Sequence, residues 1–150
     1  MLRTRSYFVT LITSQKRCLL AAYEDLNIRV NSIGCCVEAA LTSWSIEQAG
    51  VEIDGYVIMP NHIHLILNIE DGSTSIWSKQ PARSIEPLIV SLKASCLEAV
   101  VSQRGTPNVA LWMDGHTCRE LGSSQESKRA KIYILHNAKH WEKDPLYRLD

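Results

Sequence analysis

No apolar run in this 150-residue chain approaches the roughly 18 residues a membrane-spanning helix needs. Its opening residues, Met1 to Tyr7 with Arg3 and Arg5, lead directly into an alternating strand pattern instead of an apolar leader, so a cytoplasmic protein is expected. Cysteine spacing is equally uninformative of a scaffold. Five cysteines (Cys18, Cys35, Cys36, Cys96, Cys118) are an odd number without a CxxC pair, which excludes a disulfide framework or zinc knuckle. They read as small buried hydrophobes in a reducing compartment. No sign of charge dominates either: 16 Lys+Arg face 16 Asp+Glu. At first this counts against a nucleic-acid protein, which usually carries a basic surplus.

A chain of this length with 45% hydrophobic residues can build one core unaided, and residues 1–150 are expected to form a single domain. The neutrality is a sum of unlike halves. Residues 1–78 hold 5 basic and 8 acidic side chains, net −3, whereas residues 79–150 hold 11 and 8, net +3. Lys128, Arg129 and Lys131 are the tightest basic group, compatible with a solvated helix face.

Ser6 to Thr13 is β-branched and aromatic, a strand. Asn31 to Gln48 places Ile33, Val37, Ala40, Leu41 and Trp44 on one helical stripe that Gly50 ends. Val51 to Met59 is a second strand, Pro60-Asn61 a tight turn, and His62 to Ile69 a third strand. Glu70 to Pro81 has loop composition and is expected to be the most mobile segment. Ser84 to Arg104 returns to helical periodicity until Gly105, and Val109 to Met113 is expected as a short fourth strand. Ser123 with Glu126 is a capping box opening a helix to about Lys139. This order implies an α+β, ferredoxin-like four-stranded antiparallel sheet with helices on one face, plus a C-terminal tyrosine-bearing helix.

On the third strand, Ile63, Leu65, Leu67 and Ile69 alternate with His62 and His64. Both imidazoles therefore leave the same face, close enough to grip one cation. Two imidazoles alone suit a transition metal, and magnesium or manganese would need added oxygen ligands. On the last helix Tyr133 and Asn137 lie one turn apart on one face, offering a phenolic nucleophile and a neutral carbonyl ligand. Each also has a bland alternative: a half-buried aromatic, and an Asn favoured near a helix end.

The segments YFVTLITSQKRCLL, GYVIMPNHIHLIL, SIEPLIVSLKAS and RGTPNVALWMDGHTCRE, with RAKIYILHNAKHWEKD after them, resemble the REP-associated tyrosine transposases. These belong to the HUH single-strand transposases, in which two histidines flank a hydrophobic residue. The resemblance covers about positions 6–144. It implies metal-dependent nicking and rejoining of hairpin-containing single-stranded DNA through a 5′-phosphotyrosine. By position, Tyr133 would be the nucleophile, and His62, His64 and Asn137 would hold Mg2+ or Mn2+. Lys93, Arg119, Lys128, Arg129 and Lys131 would contact DNA, making the protein nucleoid-associated when bound. Neutral histidines are needed to ligate, so activity is expected to fall below about pH 6–7. A homodimer sharing tyrosine helices and a monomer both occur among such relatives.

The chain departs from the family where WQRxxYEHxIR becomes Trp112-Met113-Asp114-Gly115-His116-Thr117-Cys118-Arg119-Glu120, and where Ala138 replaces the Pro after Asn137. The alternative reading is a catalytically silent DNA-binding relic of the same fold. His116, His136 and His140 read as ordinary surface or half-buried histidines.

Overall fold

The computed structural model describes residues 3–71, 84–105 and 110–149. The first strand pattern becomes β1 (Arg3–Ile12), followed by β2 (Ala21–Glu24), β3 (Asn27–Val30) and α1 (Ser32–Glu47). Then come β4 (Val51–Met59), β5 (His62–Asp71), α2 (Ile85–Arg104), β6 (Thr117–Leu121) and α3 (Ser124–Asn137), which passes into a 3-10 turn over Ala138–Lys143. The main sheet runs β4-β5-β1-β6, with every neighbouring pair antiparallel. This is the expected α+β ferredoxin-like plan. Among the described residues, no helix is long and apolar enough to cross a membrane.

Period-two alternation gives the sheet two unlike faces. One carries Val9 and Leu11 of β1 with Ile63, Leu65, Leu67 and Ile69 of β5, all essentially inaccessible. Against it pack Val37, Leu41 and Trp44 of α1 and Leu88, Ile89, Leu92, Cys96 and Val100 of α2. The Trp44 indole N–H donates to Ser91 Oγ at 3.0 Å, tying the two helices together. The second face bears both histidines, and α3 covers part of it through Ala130 and Ile134, packed on Ile66 and Leu121.

Helix ends follow the local chemistry. Asn31 Oδ1 accepts from the Gly34 N–H at 2.9 Å to start α1, and Gly105 closes α2 in the left-handed region at φ 66°. Ser123 Oγ accepts from Glu126 N, but Glu126 reaches back to Gly122 N instead of the cap residue's own N–H. The tyrosine helix ends at Asn137, two residues before its expected limit.

Three expectations need correcting. The fourth strand is Thr117–Leu121, not Val109–Met113. Within the latter run, Leu111 is buried and Trp112 makes only an isolated bridge to Thr13, while Val109 lies outside the described residues. The true strand is a half-exposed sheet edge, so its side chains lack the apolar alternation that marks a strand. The β2-β3 hairpin was not anticipated, because its turn uses Asp25 and Leu26 at positive φ (50° and 64°) where Asn-Gly is the usual signal. The cysteines are all free, but only Cys96 is buried and Cys35 is exposed. Most of the loop expected at Glu70 to Pro81 lies outside the described residues, and its first two residues, Glu70 and Asp71, belong to β5.

Candidate active site

The strand register sets the site. Thr10 pairs with His64 and Ile12 with His62, while Met59 pairs with His62 across the Pro60-Asn61 turn. Both histidines thus emerge side by side, ring centroids 4.6 Å apart. His62 is wholly buried and His64 nearly so. His64 Nδ1 is 2.8 Å from Thr10 Oγ1, and His62 Nδ1 is 2.8 Å from Asn61 Oδ1. These contacts engage the Nδ1 atom of each ring and so orient the ring planes. Burial, with the neighbouring His62 second, drives the His64 pKa down to about 3, so its imidazole is neutral at physiological pH.

α3 crosses above with Arg129, Tyr133 and Asn137 spaced four apart on one face. Tyr133 is 46% exposed, its ring 5.4 Å from that of His64 and 6.0 Å from that of Phe8. Asn137 is buried. The four residues expected to share a site, His62, His64, Tyr133 and Asn137, therefore meet within one chain. The Tyr133 phenol is pushed above its ordinary range by desolvation and by the Asp144 charge, partly offset by the Asn137 side chain.

Asp144 is the residue that sequence reasoning missed. Its Oδ2 lies 3.5 Å from His62 Nε2 and 3.5 Å from Asn137 Nδ2, and Oδ1 accepts from Leu146 N at 2.8 Å. Burial raises the carboxyl pKa, but the adjacent His62 ring and the bond from the Leu146 N–H outweigh it and hold the group below its ordinary value. The signal was present only as one acid beyond the tyrosine helix, brought back by the 3-10 turn. Trp141 in that turn is buried and its ring lies 6.1 Å from His62.

The donor set fits a divalent cation. Ligand atoms of His62, His64 and Asp144 lie within 4.8 Å of one another. His62 Nε2 and Asn137 Oδ1 are buried without a hydrogen-bond partner, a condition that costs roughly 1–3 kcal/mol per group. Two imidazole nitrogens suit manganese or another divalent transition metal, and the added carboxylate and amide oxygens also admit magnesium.

Beside Tyr133 opens a cleft of about 570 Å³ lined by Phe8, Thr10, His64, Thr117, Arg119 and Arg129, among others. The Arg119 guanidinium sits 5.8 Å from the Phe8 ring centre. Other basic residues are placed differently. Lys128 is exposed on α3, and Lys131 pairs with Asp54 at 2.9 Å. Lys93, on α2, donates to the Met113 and Gly115 carbonyls at 2.9 and 3.0 Å and so holds the segment that precedes β6. His116 pairs with Glu86 at 2.7 Å, and His136 and His140 are exposed.

No family model matches the chain. An uncharacterised protein of Haemophilus influenzae is 23% identical over 153 residues, which span 94% of this chain and 84% of that protein. The fold is similar to that of a REP-associated tyrosine transposase solved bound to a REP hairpin, with a TM-score of 0.58, 14% identity and 89% of this chain covered. The chain spans 66% of the length of that protein. It is also similar to a structure from Deinococcus radiodurans R1 assigned as a transposase, with a TM-score of 0.60, 17% identity and 93% and 94% of the two chains covered. At these identities the likeness is one of fold.

Proposed function

We propose that this chain is a metal-dependent single-stranded DNA nicking and rejoining enzyme of the REP-associated tyrosine transposase kind. One observation carries the reading: Tyr133 faces His64, with His62, Asn137 and Asp144 beside it, in a single buried-to-open gradient. A phenol at the mouth and a cluster of metal-ligating imidazole, amide and carboxylate groups at the back suit a phosphotyrosine mechanism. The solved neighbour bound to a REP hairpin supports hairpin DNA as the substrate class.

His62, His64, Asp144 and Asn137 would hold Mg2+ or Mn2+. Such an ion supplies Lewis acidity at the scissile phosphate and a template for its alignment. The remaining work falls to the chain. The Tyr133 hydroxyl loses its proton and its oxygen attacks the phosphorus. The bond to the leaving 3′ oxygen breaks, and that oxygen takes up a proton. The products are a 5′-phosphotyrosine and a free 3′-hydroxyl, and the reverse attack by a 3′-hydroxyl rejoins strands without ATP. Arg119 and Arg129 would contact the strand where it enters the cleft, with Phe8 offering a ring face for base stacking. The position of Tyr133 beside His64 of its own chain supports attack in cis. Lys128 lies on the same helix and would extend the contact. Lys131 and Lys93 would reach DNA only by leaving the partners they hold.

The test is incubation with single-stranded hairpin DNA and Mn2+, followed by a denaturing gel. A covalent protein–DNA adduct is expected, and Tyr133→Phe should abolish it. An adduct that survives that substitution removes Tyr133 as nucleophile, and binding without any adduct favours the silent relic.

A further inference from the structure

Asn61 occupies the second position of the two-residue turn between β4 and β5 and is completely buried. Its amide nitrogen donates to two main-chain carbonyls, Lys16 O at 3.1 Å and Leu146 O at 2.7 Å. Carbonyls only accept, so the amide can be oriented one way alone, with Oδ1 toward His62 Nδ1 at 2.8 Å. An amide oxygen also only accepts. Nδ1 must therefore carry the proton, and in the neutral ring Nε2 must carry the lone pair. That Nε2 is the partnerless atom facing Asp144. His64 is not constrained in this manner, because the Thr10 hydroxyl beside it can donate or accept.

The second arm of the amide reaches the other ligand. Leu146, whose carbonyl Asn61 holds, donates its own N–H to Asp144 Oδ1. We propose that Asn61 is the positioning residue of the site, setting the His62 tautomer through its oxygen and the Asp144 carboxylate through its nitrogen. The proposal rests on the reading that His62 and Asp144 ligate a divalent ion, but its first readout does not. A residue that merely formed a turn would leave both features untouched.

The experiment uses the full chain. In metal-free protein at pH 8, long-range 1H–15N spectra should show His62 wholly as the Nδ1–H tautomer. Asn61→Asp retains an acceptor, so it should keep the tautomer while losing both donated bonds. Leu146 amide exchange should then rise at least tenfold. Asn61→Ala should mix the His62 tautomers and weaken Mn2+ binding by about 10- to 100-fold. A single tautomer and Mn2+ affinity within twofold of wild type in Asn61→Ala would overturn the proposal. Should that variant not fold, unchanged Leu146 exchange in Asn61→Asp overturns it equally. Wild-type protein with the fixed tautomer but no Mn2+ binding supports the Asn61 lock and sinks the metal reading alone.

Discussion

Tyr133 of α3 and His64 of β5 meet with their rings 5.4 Å apart and inclined at 64°. The relationship joins two periodicities. On β5 every second residue faces α3, and on α3 every fourth residue faces β5. Phe8, one strand over and 5.2 Å from His64, closes the same ring cluster. The nucleophile candidate is thus aimed by packing, and its reactivity should respond to the polar groups behind it.

Asn137 is the first of these. Burial and Asp144 raise the Tyr133 pKa, and only the Asn137 side chain opposes them. Asn137→Ala should therefore move the phenol further up. In a pH–rate profile of adduct formation, the rising limb that follows phenolate formation should shift to higher pH than in wild type. An unshifted limb would show that Asn137 does not act on the phenol.

Much of this arrangement was legible in the sequence, for physical reasons. His-x-His within an apolar strand and Tyr-x-x-x-Asn on a capped helix are local patterns, and local patterns survive folding. Asp144 was not legible, because its place depends on a 3-10 turn docking Trp141 beside His62, a contact 79 positions apart in sequence. β6 was hidden for the opposite reason: its residues are too polar to announce a strand, and β1 recruits them by main-chain pairing. Asn61 read only as a turn residue, since nothing local shows that its amide bonds to Lys16 and Leu146.

Asp144→Asn keeps an oxygen for the Leu146 N–H but removes the charge from beside His62 Nε2. Calorimetric titration with Mn2+ should show affinity lowered by at least tenfold with the fold intact. The same change should lower the Tyr133 pKa, because the Asp144 charge is one of the causes that raise it. Undiminished Mn2+ affinity would take Asp144 out of the ligand set.

Gly34 tests the scaffold away from the site. An added Cβ there would overlap the Leu20 carbonyl and the Val30 side chain, and the former is backbone that cannot swing aside. Asn31 fixes the same region by donating to Leu19 O and accepting from Gly34 N. Gly34→Ala should cost about 1–3 kcal/mol in urea unfolding. A neutral result would mean that α1 can slide off the β2-β3 hairpin.

His64 makes a stability prediction whose sign is fixed by its depressed pKa. The unfolded imidazole takes up a proton near its usual value of about 6.5, whereas the folded one resists until about 3. Between these values the unfolded state binds more protons, so stability is full above about pH 6.5 and is lost as pH falls toward 3. In metal-free protein the slope from this group approaches 1.4 kcal/mol per pH unit at most. His64→Asn should flatten the curve between pH 6 and 4. The same value places the contribution of His64 to any acid loss of activity near pH 3, well below the pH 6–7 expected for an ordinary histidine.

Arg119 and Arg129 line the cleft beside Tyr133, whereas the Lys93 ammonium is engaged by Met113 O and Gly115 O. Charge at the cleft should govern strand binding through counterion release, with a slope in log K against log salt of about 0.7 per phosphate contact for single strands. Arg119→Ala and Arg129→Ala should each reduce the slope by about that amount and weaken hairpin binding, with little change in unfolding midpoint for these exposed side chains. Lys93→Met should do the reverse, because it leaves two carbonyls without their donor at the segment that feeds β6. Its loss should appear as about 1–3 kcal/mol in stability while the salt slope stays the same. Fluorescence anisotropy with a labelled hairpin across a salt series, run beside urea unfolding of each variant, separates the two behaviours. A reduced slope in Lys93→Met would instead place its ammonium on the DNA.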